Sequence, residues 1–268
     1  MKIVILGSTG MLGSAVGKYF LEKYSEDNVY LSYRNEEVSY GKNKFLFDLE
    51  QSKLKDIPNC DYIINCIGVI KPFIEKNIPR SIQTNSMFPR ILAEHCKAIN
   101  CKLIHITTDC VFSGADGNYT EDSLHDCTDS YGKTKSLGEP INCMTIRTSI
   151  IGEELHKNVS LISWVNSQKG KEVNGFSNHL WNGITTKQYA KICSQIIDQA
   201  LYQEGIYHVF SNSVNKYELL CLLNERFNLD LKINKTVADS DINRTLSTVK
   251  ELNSFLSIPS IEEQIKEI

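Results

Sequence analysis

The chain has 268 residues, of which 41% are apolar and 23% charged, with a formal net charge of −3. That size and apolar content support a sizeable core and exclude wholesale disorder, and the slightly acidic balance lacks the basic stripe of a nucleic-acid binder. No apolar run approaches the roughly 18 residues of a membrane span, so no membrane partner is expected. Met1 leads straight into a short apolar run without a leader pattern. Nine scattered cysteines without a Cys-x-x-Cys read as reduced thiols of a cytoplasmic protein. The six histidines fall at no metal-ligand spacing, so no metal site is expected.

Residues 3–6 form a continuous apolar run, the pattern of a strand buried on both faces. From Met11 the apolar residues Leu12, Ala15, Val16, Tyr19 and Phe20 fall at helical spacing. Residues 29–31, 44–47 and 62–67 give three further strands, and 82–98 a helix. Residues 103–106 and 144–146 read as a fifth and a sixth strand. This alternation predicts an α/β fold, a parallel sheet with helices on both faces, doubly wound through right-handed crossovers. After about residue 150 the pattern loosens. Helices are expected over 158–168 and 185–202, a strand over 207–210, and a helix over 215–227 started by Asn215 with Glu218 three residues on.

Gly7-Ser8-Thr9-Gly10-Met11-Leu12-Gly13 follows the first strand and opens the first helix. In that context a glycine pattern reads as a dinucleotide phosphate cradle. Gly7 permits the turn, Gly10 the approach of a pyrophosphate, and Gly13 close helix–strand packing. The helix N-terminus offers free N–H groups to phosphate. The second strand ends in Ser32-Tyr33-Arg34, without the acid that would hold an NAD ribose about 20 residues past the glycines. Arg34 instead suits a 2′-phosphate, so the expected cofactor is NADP(H), with NAD(H) the alternative. Asp48, after the third strand, is placed to reach the adenine or to cap a local turn. Thr9, Met11, Leu12, Leu49, Cys66 and Gly68 complete the expected cofactor contacts. The organisation that follows is a doubly wound Rossmann-type domain over 1–150. A smaller C-terminal substrate lobe follows over 151–268, with segments packing back on the first.

Tyr131 and Lys135 stand four residues apart, hence on one face of a helix. The Lys135 ammonium is expected to lower the Tyr131 pKa from about 10 toward working pH. Such a phenol can give a proton to a carbonyl oxygen as hydride reaches the carbon. Thr108, in Thr107-Thr108-Asp109 at the carboxyl end of the fifth strand, can hydrogen-bond the same oxygen or cap the strand.

The glycine loop, Thr-Thr-Asp-Cys-Val-Phe-Ser-Gly at 107–114 and Tyr-Gly-Lys-Thr-Lys-Ser-Leu-Gly-Glu at 131–139 resemble the extended short-chain dehydrogenase/reductases. More narrowly they resemble the dTDP-4-dehydrorhamnose reductase group. The likeness continues through Ile146-Arg147-Thr148-Ser149 and Trp181-Asn182-Gly183-Ile184-Thr185-Thr186, and weakly to Arg244. It implies Thr108, Tyr131 and Lys135 as catalytic residues, and reduction of a 4-keto-6-deoxy sugar carried on a nucleotide diphosphate, as in polysaccharide biosynthesis. It gives Asn85 a positional role. The chain departs from the group at Cys110, where Tyr is usual, and at Ile150, where Trp is frequent; both lie toward the sugar. Asp109, Cys110, Lys71, Trp181 and Arg244 form the expected substrate side. Lys71 otherwise reads as solvated, Trp181 as core, and Arg244 as a diphosphate ligand or a surface ion pair. A homodimer is left open. The alternatives are a sugar-nucleotide epimerase of the same family and a non-catalytic, dinucleotide-binding regulatory subunit.

Overall fold

The computed structural model describes residues 1–35, 38–155 and 159–268. Its strands, in chain order, are β1 (Ile3–Leu6), β2 (Val29–Tyr33), β3 (Asn43–Leu46), β4 (Tyr62–Asn65), β5 (Lys102–Thr107), β6 (Met144–Arg147), β7 (Ile150–Ile151), β8 (Glu172–Phe176), β9 (His179–Trp181), β10 (Ile184–Thr185), β11 (Gly205–His208), β12 (Val214–Asn215), β13 (Lys232–Thr236) and β14 (Ile242–Asn243). The helices are α1 (Met11–Lys23), α2 (Lys71–Ile74), α3 (Ile78–Ile82), α4 (Phe88–Ala98), α5 (Ser130–Leu137), α6 (Leu161–Ser167), α7 (Thr186–Asp198), α8 (Lys216–Phe227), α9 (Leu252–Phe255) and α10 (Ile261–Lys266).

Among the described residues, seven strands form one parallel sheet in the order β11-β6-β5-β4-β1-β2-β3. The chain winds outward from β1 through β2 and β3, then returns to β4 on the other side of β1. Ligands bind at such a switch point, outside the carboxyl ends of the strands. Registers Leu6↔Asn65, Asn65↔His105 and Thr107↔Arg147 bring the ends of β1, β4, β5 and β6 to one rim. The expected α/β doubly wound fold is therefore present. Its central strands are apolar runs because both faces are covered: Ile3, Val4, Ile5 and Leu6 are all fully buried.

Helix α1 puts Leu12, Val16 and Phe20 on one buried stripe against the sheet, in the same core as Ile192 and Ile196 of α7. Each such side chain contributes roughly 1.5–3 kcal/mol through burial. The second core lies in the smaller lobe. Ile162 and Val165 of α6, Trp181, Leu219 and Leu223 of α8, and Ile261 and Ile265 of α10 fill it. Its strands form the sheet β12-β9-β14 and the pair β13-β8. Strand β11 belongs to the large sheet and pairs in parallel with β6.

Several boundaries differ from the sequence reading. The helix expected over 82–98 is two helices, α3 and α4, joined by a π turn, Gln83–Met87, whose closing bond runs from Phe88 N–H to Gln83 O. Helix α7 stops at Asp198, short of 202. Ala200 takes a left-handed φ of 54°, and Leu201 N–H bonds back to Ile196 O, 2.9 Å. The start expected for α6 at Asn158 lies outside the described residues; Ser160 caps that helix. The capping box of Asn215 and Glu218 is present.

Candidate active site

The glycine loop is shaped by backbone contacts. Gly7, at φ +83°, turns the chain off β1. Its N–H donates to Ser32 Oγ, 2.8 Å, and Gly10 N–H donates to Gly7 O, 2.9 Å. The Tyr40 hydroxyl donates to Ser8 O, 2.9 Å, holding the loop from outside. A Cβ on Gly13 would meet Gly7 O at 2.1 Å, so only glycine lets α1 start this close to β1. Gly10 is an uncapped N-cap, and the first helical bond is Ser14 N–H to Gly10 O. The amides of Met11, Leu12 and Gly13 therefore remain as donors at the positive end of a thirteen-residue helix, a ready anion cradle. Thr9 sits half-buried in the loop.

Around the cradle, Arg34 follows β2 and is exposed. Asp48 caps its own turn: its Oδ1 accepts from Glu50 N–H, 3.2 Å, and its N–H donates to Ser52 Oγ, 2.9 Å. Leu49 packs against the core that contains Phe47 and Phe88. Cys66 follows β4, and burial pushes its thiol well above the usual range, with Cys193 adding. Gly68 lies exposed beside Asn85.

The catalytic candidates meet on the other side of the switch point. Thr108 follows β5 and caps a 3-10 turn, Asp109–Val111. Its hydroxyl accepts from Cys110 N–H and donates to Asp109 Oδ1, both 3.1 Å. Helix α5 carries Tyr131 and Lys135 and is capped by Asp129, whose Oδ1 accepts from Gly132 N–H, 2.8 Å. Lys71, an exposed side chain, pairs with the other Asp129 oxygen at 2.7 Å and so ties itself to the cap of α5.

Lys135 departs from expectation. Its buried Nζ donates to Ile106 O, 3.0 Å, and burial lowers its pKa to about 8, with Glu139 opposing. The Tyr131 phenol is raised above its ordinary value, first by burial, then by Cys110, Asp109 and Asp129; the Thr108 hydroxyl acts the other way. The expected lowering of Tyr131 by Lys135 is thus corrected: the ammonium is directed at a carbonyl of β5, and burial, with its neighbours adding, dominates the phenol. Cys110 is half-buried, its thiol pushed up to about 12 by burial and then by Asp109.

Two supports hold this arrangement. Asn85, in the π turn, accepts from Val69 N–H at 2.8 Å and donates to Val69 O at 2.9 Å and Thr134 Oγ1 at 3.2 Å, clipping the loop after β4 to α5. Beneath α5, Glu139 accepts from Thr107 Oγ1 at 2.8 Å and from Arg147 Nε and Nη2 at 3.1 and 2.6 Å. Arg147 is fully buried. It also reaches His208 Nε2 at 2.6 Å and His125 Nε2 at 2.8 Å. A guanidinium has no acceptor, so both imidazoles must turn a lone pair to it and stay neutral. His208 then donates through Nδ1 to Ser247 O, 2.7 Å. Its pKa falls to about 4 through burial and then Arg147.

On the small lobe, Trp181 is 4% exposed and belongs to the core, which removes it as a sugar platform. Arg244 donates through Nε to Phe112 O, 3.0 Å, and makes no ion pair among the described residues. The sequence reading missed the loop-holding roles of Ser32 and Tyr40 and the Glu139–Arg147–His125–His208 cluster. For the cluster, the one available signal was an arginine inside an apolar strand. A surface hollow of about 720 Å³, lined by Asp61, Lys102, Asn142 and Tyr202 among others, opens at the amino ends of the strands, away from this chemistry. Among the described residues, no helix is long and apolar enough to cross a membrane, and no group of three His, Cys, Asp or Glu is placed to hold a metal.

The model of the RmlD substrate-binding domain matches residues 1–266. The chain belongs to that family. Among solved structures, this RmlD-family chain resembles a hypothetical dTDP-4-dehydrorhamnose reductase from Sulfolobus tokodaii, with TM-score 0.78 and 24% identity over 96% of this chain and 95% of that one. It also resembles the dTDP-4-dehydrorhamnose reductase of Bacillus anthracis in complex with NADP, with TM-score 0.74 and 19% identity over 99% and 97% of the two chains. A curated relative, the methionine adenosyltransferase 2 subunit beta of Mus musculus, is 26% identical over 256 residues, 90% of this chain and 76% of the relative. The proteins that this RmlD-family chain is similar to thus include ones named as reductases and one named as a subunit.

Proposed function

We propose that the chain is an NADPH-dependent reductase of a nucleotide-diphosphate-linked 4-keto-6-deoxy sugar. The observation that carries this reading is the Thr108 hydroxyl within hydrogen-bond reach of Tyr131, with Lys135 Nζ on Ile106 O beside them at the carboxyl end of β5, across the switch point from an uncapped helix N-terminus. Gly7, Gly10 and Gly13, with the amides of Met11 and Leu12, would hold the cofactor pyrophosphate, and Arg34 its 2′-phosphate. Thr9, Asp48, Leu49, Cys66 and Gly68 would line its remainder. When bound, the dihydronicotinamide supplies the hydride.

The chain's own residues supply the proton. Tyr131, neutral at working pH, donates its phenolic proton to the carbonyl oxygen, and the Thr108 hydroxyl fixes that oxygen. Lys135 stabilises the phenolate left behind; its place on the same helical face gives it the reach once it leaves Ile106 O. Asp109 and Cys110 face the sugar, and Arg244 the diphosphate. The smaller Cys110 and Ile150, in place of bulkier aromatics, leave room for a different sugar substituent. The nine free thiols fit a reducing, cytoplasmic setting.

The test is a panel of nucleotide-bound 4-keto sugars, each with NADPH and with NADH, followed by loss of dihydronicotinamide absorbance. NADPH-preferring turnover of at least one is expected. A non-catalytic, dinucleotide-binding subunit is the second reading. It is favoured by the Lys135 amine sitting on Ile106 O and by a phenol raised, not lowered. NADPH binding without turnover across the panel would establish it. The epimerase reading lacks an acid at the end of β2, which reads Ser32-Tyr33-Arg34.

A further inference from the structure

Resting on the reductase reading and deepening it, we propose that Lys216 is a second cationic anchor for the substrate's diphosphate, acting with Arg244. The small sheet places both cations. Strands β12 and β14 flank β9, Asn215 and Asn243 both pair with Leu180, and Lys216 and Arg244 each follow the last residue of their strand. Lys216 is half-buried, with its Nζ 5.4 Å from the centre of the Trp181 ring. Trp181 is itself buried, so the lysine stem lies on a rigid wall.

Among the described residues, no carboxylate pairs with either cation. Arg244 uses Nε on Phe112 O and keeps its other N–H groups for a ligand. Lys71 is already engaged by Asp129. The ionisable groups that act on Lys216 are Asp109 and Cys110, which neighbour Tyr131, and Arg244, and of these Asp109 and Arg244 are the ones charged at working pH. Burial holds its ammonium below the ordinary lysine range, with Arg244 adding and Asp109 and Cys110 opposing. Lys216 and Arg244 repel each other, with Asp109 offsetting this at Lys216 and Asp126 and Asp129 acting on Arg244 without pairing with it, and a ligand carrying two adjacent negative groups relieves what remains. A diphosphate carries two such groups, and Asp109 and Cys110, which act on both Lys216 and Tyr131, set this site on the Tyr131 side, where the attached sugar would lie.

The experiment titrates UDP, dTDP and GDP, with the matching nucleosides as controls, into NADPH-saturated protein by calorimetry. Lys216→Met keeps the stem on Trp181 and removes the charge; Lys216→Arg restores it and covers the case in which the methionine variant fails to fold. At least one nucleoside diphosphate should bind the wild type. Lys216→Met should weaken that binding about 10- to 100-fold, the effect of one lost charge-assisted hydrogen bond, and leave nucleoside binding unchanged. With a keto-sugar substrate, KM should rise by a similar factor while kcat holds. Lys216→Arg should recover most of both. Unchanged Kd and KM in Lys216→Met, equal losses for nucleosides, or no diphosphate binding by the wild type overturns the proposal. If no keto sugar is reduced but diphosphate affinity still depends on Lys216, the reductase reading fails and the anchor stands. If turnover is found with KM indifferent to Lys216, the anchor fails and the reading stands.

Discussion

On the β1 side of the cleft, the chain builds its cradle almost wholly from main chain. A left-handed Gly7, a Gly13 with no room for a Cβ and an uncapped N-terminus of α1 shape it, and the hydroxyls of Ser32 and Tyr40 hold it in place. On the β5–α5 side, reactive side chains stand on buried charge, with Glu139 and Arg147 under Thr107 and α5 and two neutral histidines closing the cluster. A surface of amides needs only a backbone path, so it serves any phosphate. A proton donor needs its neighbours' charges fixed, and in a low dielectric that requires partners for every buried polar group. The two sides should therefore fail differently.

The largest effect is expected on the charged side. Arg147→Met leaves Glu139 buried and unpaired, and should cost about 3–5 kcal/mol in a denaturant titration. The pair replacement Glu139→Leu with Arg147→Met should be milder than the single change; a single-variant cost under about 1 kcal/mol would show the cluster to be incidental.

Tyr131→Phe should lower turnover about 10²–10⁴-fold while NADPH affinity and melting temperature stay near wild type. Near-normal turnover with any substrate the wild type accepts would remove Tyr131 from the chemistry.

On the main-chain side, Gly13→Ala drives a methyl group against Gly7 O. It should cost about 1–3 kcal/mol of stability, as other overpacking changes do, with the fractional loss of NADPH affinity exceeding any loss of affinity for a nucleoside diphosphate. Equal losses would mean that the cradle does not hold the cofactor.

The smallest effect is a pH slope. His208 is neutral in the fold, with a pKa near 4 against about 6.5 unfolded. Between those values the unfolded chain binds a proton that the folded chain refuses, so stability should fall as pH drops from about 6.5 toward 4 and be flat above. The slope is about 1.4 kcal/mol per pH unit at most for this one proton. His208→Gln should flatten it; an unchanged slope would assign it to other groups.

The sequence made the first side legible and much of the second illegible, for a physical reason. Buried parallel strands must be apolar runs, so β1, β4 and β5 stood out, and Gly7, Gly10 and Gly13 stood where backbone approach demands them. Tyr131, Lys135 and Thr108 were readable through local spacing and resemblance. The partners of Arg147 lie 8, 22 and 61 residues away, and no local pattern encodes them. The direction of the Tyr131 shift depends on where one flexible lysine points, which spacing does not fix. The π turn at Asn85 and the left-handed stop at Ala200 were hidden because the apolar period runs through both.

The position of β11 in the large sheet has a consequence for biosynthesis. A ribosome releases β6 long before residues 205–208, so until then β6 presents an unpaired edge, a template for pairing with other chains. The apolar stripe of α1 waits longer still for α7. Over that interval the nascent chain holds a nearly finished sheet that cannot close, and domain-by-domain folding during synthesis is not open to it. A chain terminated near residue 150 should be captured by chaperones or aggregate, whereas one extended past Phe210 can complete its sheet with the small lobe still unformed.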